Sequence, residues 1–80
     1  MEAEPVEIYD LRGLNCPMPV LKIRKRLSES ATGAVLVAET TDALAVIDIP
    51  HFCREYGHDM VACEKIEGGH RFTIRNGTKD

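Results

Sequence analysis

Hydrophobic and polar positions change their spacing several times along this chain, and each change predicts an element. Val6-Glu7-Ile8-Tyr9-Asp10 alternates in character and reads as a first strand. Val20, Ile23 and Leu27 then recur at i, i+3 and i+7, with Leu21 beside them. That spacing predicts an amphipathic helix from about Pro17 to Glu29, stopped by Ser30-Ala31-Thr32-Gly33. Ala34-Val35-Leu36-Val37-Ala38 is uninterrupted and rich in valine, as in an interior strand. Thr40-Thr41-Asp42 offers cap residues for a short helical piece through Ala43–Ile47. Pro50 predicts a break near Asp48, with Asp48 as a new cap and the proline in the first turn of Ile49–Tyr56. Gly57 is placed to end that piece. His58–Glu64 and Gly69–Arg75 read as a hairpin across Ile66-Glu67-Gly68-Gly69. In it Met60/Ala62 and Phe72/Ile74 are the core-facing pairs, and Cys63 falls on the other face.

The order β-α-β-α-β-β predicts an α+β fold: a two-layer α/β sandwich with a mixed four-stranded sheet. Right-handed crossovers place both helices on one face of it. Eighty residues make one domain, 1–80, with an ordered core of about 6–75. Met1–Pro5 and Asn76–Asp80 read as frayed tails.

Composition narrows the function classes. At 44% apolar and 29% charged, the chain has the balance of an ordinary globular protein, and its apolar runs are too short to span a membrane. Met1-Glu2-Ala3-Glu4 does not read as a signal peptide, so the expected compartment is the cytoplasm. A net charge of −3, 5% aromatic residues and no tryptophan argue against nucleic acid as the direct partner. No motif for holding pyridoxal phosphate, nucleotide or haem is present, and the expected cofactor is none. Three cysteines, Cys16, Cys53 and Cys63, cannot all pair within one chain, which suits a reducing compartment.

The chemistry concentrates at Asn15-Cys16-Pro17-Met18-Pro19. Two prolines fit the first turn of a helix, so the segment marks a helix start with Cys16 at the cap. A thiol there faces unpaired backbone N–H groups and the positive end of the helix dipole, both of which favour a thiolate. The local pattern alone also fits a buried structural cysteine that precedes a proline. Cys53, beside Phe52 in an apolar segment, reads as a small core residue, and Cys63 as exposed without activation. His51, Cys53, His58, Cys63 and His70 have metal-binding side chains but no metal-site spacing, so no metal is expected. Lys22, Arg24, Lys25 and Arg26 form a basic helix flank that reads equally as a solvated face or as a docking surface for an acidic partner. Arg12 either steers an anion at the thiol or pairs with Asp10 to hold the loop. Gly13 serves the backbone.

Asp10-Leu11-Arg12-Gly13-Leu14-Asn15-Cys16-Pro17-Met18-Pro19 resembles the signature of the TusA/SirA-like sulfur carriers, whose motif is Cys-Pro-x-Pro. The similarity continues in Asp48-Ile49-Pro50-His51-Phe52-Cys53, in Tyr56-Gly57-His58 and in Phe72-Thr73-Ile74-Arg75. The resemblance implies a sulfurtransferase that acts as a persulfide carrier within a relay. Cys16 would accept sulfane sulfur, with Gly13, Pro17 and Pro19 supporting its geometry and Arg12, Lys22, Arg24, Lys25 and Arg26 available for docking. The donor would be a cysteine desulfurase or a rhodanese-type protein. The acceptor would lie on a path to tRNA thiolation, molybdenum-cofactor assembly or sulfur oxidation. The expected carrier is monomeric. A redox-responsive regulatory or interaction module on the same fold is the alternative. One departure is local: Ala43 stands after Asp42, where family members often have proline, which bears on the shape of the Asp42–Ile47 turn.

Overall fold

The computed structural model describes residues 8–77. Six elements follow in the order β1 (Ile8–Leu11), α1 (Met18–Ser28), β2 (Val35–Thr40), α2 (Ala45–Tyr56), β3 (Asp59–Ile66) and β4 (Gly69–Arg75). They form one sheet with strand order β1-β2-β4-β3. β1 and β2 are parallel, joined across α1, whereas β4 is antiparallel to both β2 and β3. α2 therefore carries the chain over β4 to the far edge, and the β3–β4 hairpin returns β4 to the middle. This is the expected α+β architecture with a mixed sheet. The Val6–Glu7 part of the expected first strand and the Met1–Pro5 tail lie outside the described residues.

Alternation along the strands decides which face is covered. Leu36, Ala38 and Thr40 of β2 lie opposite Ile74, Phe72 and His70 of β4, and Leu11 of β1 joins them. Leu11, Leu36, Ala38, Phe72 and Ile74 are buried, together with Ile23 and Leu27 of α1 and Ala45, Ile49, Phe52 and Cys53 of α2. Val20 packs partly against this core, and Leu21 remains exposed.

Four expectations need correction. First, α2 is one helix from Ala45, with Pro50 inside it, and neither starts at Ala43 nor breaks at Asp48. Pro50 removes one helical N–H. However, Ala45, Ile49, Phe52 and Cys53 repeat on one buried face, and that continuous packing outweighs a single missing bond. Asp42 turns the chain before the helix, its carbonyl accepting from Ala45 N–H at 3.1 Å and its Oδ1 from Leu44 N–H at 3.4 Å. Gly57 ends α2 as expected, in a left-handed conformation.

Second, a bulge between Met60 and Ala62 shifts the register of β3. Met60 faces Ile74, but Ala62 then faces Thr73 and Cys63 faces Phe72. Because one extra residue reverses every later side chain, Cys63 and not Ala62 shares the helix-covered side, at the sheet edge where it stays exposed.

Third, Asn76 is no part of a frayed tail: it is 1% exposed. Its Nδ2 donates to the carbonyls of Leu27, Ser30 and Ala31 at 2.9, 3.0 and 3.1 Å, closing the C-terminal end of α1. Fourth, α1 begins at Met18 with Pro17 as the cap residue, so Cys16 stands one position before the cap. Among the described residues no helix is long and apolar enough to cross a membrane.

Candidate functional site

The loop after β1 brings the predicted residues to one edge of the molecule. Gly13 takes φ +87°, a conformation that any side chain would strain. Its N–H donates to Thr41 Oγ1 at 2.8 Å, which ties this loop to the loop before α2. Gly69 supports the same corner, since a Cβ there would collide with the Thr40 carbonyl. Asp10 accepts from Arg12 three times: from the backbone N–H at 3.1 Å, from Nε at 2.8 Å and from the terminal guanidinium nitrogen at 3.1 Å. Those bonds hold the Asp10 carboxyl down at about 2. Arg12 is thus engaged in fixing the loop.

Cys16 is exposed at the start of α1. Its thiol donates to Asp48 Oδ2 at 3.2 Å, across from α1 to α2. The thiol pKa is raised, first by this hydrogen bond, then by partial desolvation and by the charges of Asp48 and Asp42. The contact with Asp48 thus opposes the helix start, which the sequence reads as favouring a thiolate. Pro17 and Pro19 carry no N–H, and Met18 N–H donates to the Asn15 carbonyl at 2.8 Å. The first turn consequently presents few donors to the sulfur, while a carboxylate lies within hydrogen-bond reach. Asp48, which the sequence predicts as a helix cap, is the fourth residue of α2; the D-I-P segment marks its position but not its partner. No period or spacing links Cys16 to a residue 32 positions on, and only the packing of α1 on α2 does.

A shallow groove of about 270 Å³ runs from this point between the helices, lined by Pro17, Val20, Leu21, Asp48, His51 and Phe52 among others. The basic flank is mostly engaged. Arg24 lies 5.3 Å from the centre of the Tyr56 ring, Arg26 lies 4.0 Å from that of Tyr9, and Lys25 pairs with Glu29 at 2.8 Å. Lys22 makes no ion pair among the described residues. The flank is therefore not a uniform free surface.

The other thiols are placed apart. Cys53 is buried on the inner face of α2, and loss of solvent pushes it up to about 11. Cys63 is exposed on β3. The histidines have separate surroundings: His51 lies 3.1 Å from Glu55, His58 Nδ1 accepts from Gly77 N–H at 3.0 Å, and His70 packs on Phe72.

Comparison with known proteins adds the family. The family model "Sulfurtransferase TusA" matches residues 7–76. The chain belongs to the TusA family. A relative from Pseudomonas entomophila, named sulfur carrier protein TusA, is 39% identical over 66 residues, which is 82% of each chain. The crystal structure of a SirA-like protein from Desulfitobacterium hafniense superposes with a TM-score of 0.75 at 25% identity. That match covers 89% of this chain and 97% of the other. The TusA match includes the Cys16 loop, α1 and the Asp48 region of α2, so both halves of the site lie inside the family domain. Membership supports a sulfur-carrier role, and with it a donor and an acceptor.

Proposed function

We propose that this protein is a sulfur carrier in which Cys16 holds the cargo as a persulfide. The observation that carries the reading is an exposed thiol at the head of α1, in Cys-Pro-x-Pro, within a chain of the TusA family. Sulfur relay is thiol exchange. The Cys16 thiolate attacks the outer sulfur of a donor persulfide. An Sγ–S bond forms, the donor's S–S bond breaks, and the donor cysteine leaves as a thiolate. The balance is one persulfide and one thiol on each side, so no external oxidant is needed. Unloading is the same step in reverse order, with an acceptor thiolate attacking the outer sulfur and Cys16 leaving.

Each structural element has a share in this chemistry. The prolines and Gly13 fix the loop that carries the exposed sulfur at the head of α1, beside Asp48. The three thiols are kept in different surroundings, with Cys53 buried and Cys63 out on β3. The donor is a protein of the cysteine desulfurase or rhodanese type, in which the sulfane sulfur is made. The acceptor carries a thiol on a path to tRNA thiolation, molybdenum-cofactor assembly or sulfur oxidation.

Intact-mass measurement tests the reading. After incubation with a desulfurase and cysteine, or with a rhodanese and thiosulfate, the protein gains the mass of one sulfur. The gain disappears on reduction and does not form on Cys16→Ala. A protein that gains only oxygen or forms disulfides under both conditions is a redox-responsive module and not a carrier.

A further inference from the structure

We propose that Asp48 is a positioning residue for Cys16, holding the empty carrier as a thiol and slowing release of sulfur from the loaded one. The inference deepens the carrier reading and rests on it for the second half. Its basis is geometric. Asp48 Oδ2 lies 3.2 Å from Cys16 Sγ, and the thiol is the donor. The carboxylate is held there by α2: Asp48 N–H donates to the Leu44 carbonyl at 2.9 Å, and the neighbouring Ile49 is fully buried. Because α2 is continuous through Pro50, this placement is fixed by the helix as a whole.

The groups that bear on the sulfur are of one sign. Asp48 faces it from α2, and Asp42 acts on it from the loop before that helix. Arg24, His51 and Glu55 line the groove with Asp48, but Arg24, Arg26 and Lys25 of α1 are turned to Tyr56, Tyr9 and Glu29, and Lys22 lies a full turn and more beyond the cap. A thiolate on Cys16 would meet a carboxylate at hydrogen-bond distance, with the bond lost when the proton leaves. The thiol form is accordingly favoured, as the raised pKa of Cys16 reflects.

The consequence differs between the two half-reactions. In loading, the thiol proton departs to solvent as the Cys16 sulfur attacks, the Sγ–S bond forms and the donor leaves as a thiolate. In unloading, the acceptor thiolate attacks the outer sulfur, the Sγ–S bond breaks, and the electron pair returns to Sγ beside Asp48. A leaving group that is slow to carry negative charge departs slowly, because a leaving thiol of lower pKa departs faster. The resting carrier is thereby less open to adventitious alkylation or oxidation, and the loaded one retains its sulfur until an acceptor engages it.

The test is Asp48→Asn, which keeps an oxygen able to accept from the thiol but removes the charge, with Asp48→Glu as the charge-preserving control. Alkylation rate against pH is measured on the unloaded protein, with far-UV circular dichroism to confirm the fold. In Asp48→Asn the profile moves to lower pH and alkylation at neutral pH rises several-fold, while Asp48→Glu stays nearer the parent. Protein loaded by a desulfurase then releases its sulfur to glutathione several-fold faster in Asp48→Asn. A folded Asp48→Asn with an unmoved alkylation profile overturns the proposal. So does an unchanged release rate in a variant that loads fully. Alkylation requires no sulfur transfer, so failure of the carrier reading would appear separately, as a parent protein that never gains sulfur.

Discussion

Two thiols, one standing before α1 and the other on the inner face of α2, are both held above the ordinary thiol range, and for opposite reasons. Cys53 is 2% exposed, and its rise to about 11 comes chiefly from the removal of water, which no binding partner can undo. Cys16 is exposed, and its rise begins with one hydrogen bond to one carboxylate. The first shift belongs to the fold; the second belongs to a pair of residues and changes if a cation or a proton comes to Asp48. A raised pKa is therefore no sign of inertness by itself. Access and the source of the shift separate a cysteine that serves packing from one that serves chemistry.

The largest effect that tests this comparison is the loss of sulfur loading. Cys16→Ser is expected to abolish it completely with the fold unchanged, its hydroxyl taking the place of the thiol toward Asp48. Cys53→Ser is expected to load in full but to lose about 1–3 kcal/mol of stability, since a hydroxyl enters an apolar site. Intact mass and urea midpoints measured on both variants decide it. Loading lost in Cys53→Ser at an unchanged midpoint would exchange the roles of the two thiols.

Next in size is a pH effect in which Cys53 has the largest share. Its folded pKa, about 11, exceeds the ordinary value of 9.0. Between those limits the unfolded chain loses the proton and the folded chain keeps it, so stability is full below pH 9 and falls as pH rises toward 11. The loss amounts to roughly 3 kcal/mol at most, because a tenfold change in a proton-binding constant corresponds to about 1.36 kcal/mol. Cys53→Ala, compared with the parent by denaturant unfolding across that range, should flatten this part of the pH dependence. Cys16→Ala should flatten it less, because the rise at the exposed Cys16 rests on its contact with Asp48 and is screened by solvent.

The same contrast runs along α1, whose first turn serves the thiol and whose last turn is closed by Asn76. Asn76→Ala leaves the carbonyls of Leu27, Ser30 and Ala31 without that donor. It is expected to cost about 1–3 kcal/mol by urea midpoint. The alkylation profile of Cys16, at the other end of the helix, should stay where it was.

What the sequence disclosed divides on similar lines. Periodicity carried the element order and the covered faces of α1 and β2, because apolar spacing is a local property that the fold only has to satisfy; the prolines placed the start of α1 one residue early. Cys16 was legible from its prolines and its resemblance. Features that depend on distant partners were not legible. Asn76 looks like a polar tail residue until α1 ends beside it. The bulge after Met60 has no signature in Met60-Val61-Ala62-Cys63, and it reversed the assignment of Ala62 and Cys63. Pro50 reads as a break because propensity is local, whereas the buried face of α2 is a tertiary fact. Asp48 carries the deepest of these misses: its charge was visible, but not that it lies against the sulfur.

The smallest effect is expected from the basic flank, and it sharpens the comparison from the other side. If the surroundings of Cys16 are set by Asp48 at contact distance, then a charge elsewhere on α1 should hardly matter. Lys22 is exposed, a full turn and more beyond the cap, and it makes no ion pair among the described residues. Charges of this kind are screened over about 8–10 Å at ordinary salt. Lys22→Glu should therefore leave the alkylation profile of Cys16 in place, while Asp48→Asn moves it. Its effect should fall on encounter with an acidic-rimmed donor, slowing single-turnover loading at low salt and much less at high salt. Arg26→Glu is a less clean probe, because its guanidinium covers the Tyr9 ring and its loss also disturbs packing, by roughly 0.5–1 kcal/mol. A Lys22→Glu profile displaced as far as that of Asp48→Asn would mean that the thiol responds to the general field of the helix and not to its one close neighbour. A loading rate that ignores the reversal at every salt concentration would leave Lys22 as a solvated side chain with no part in docking.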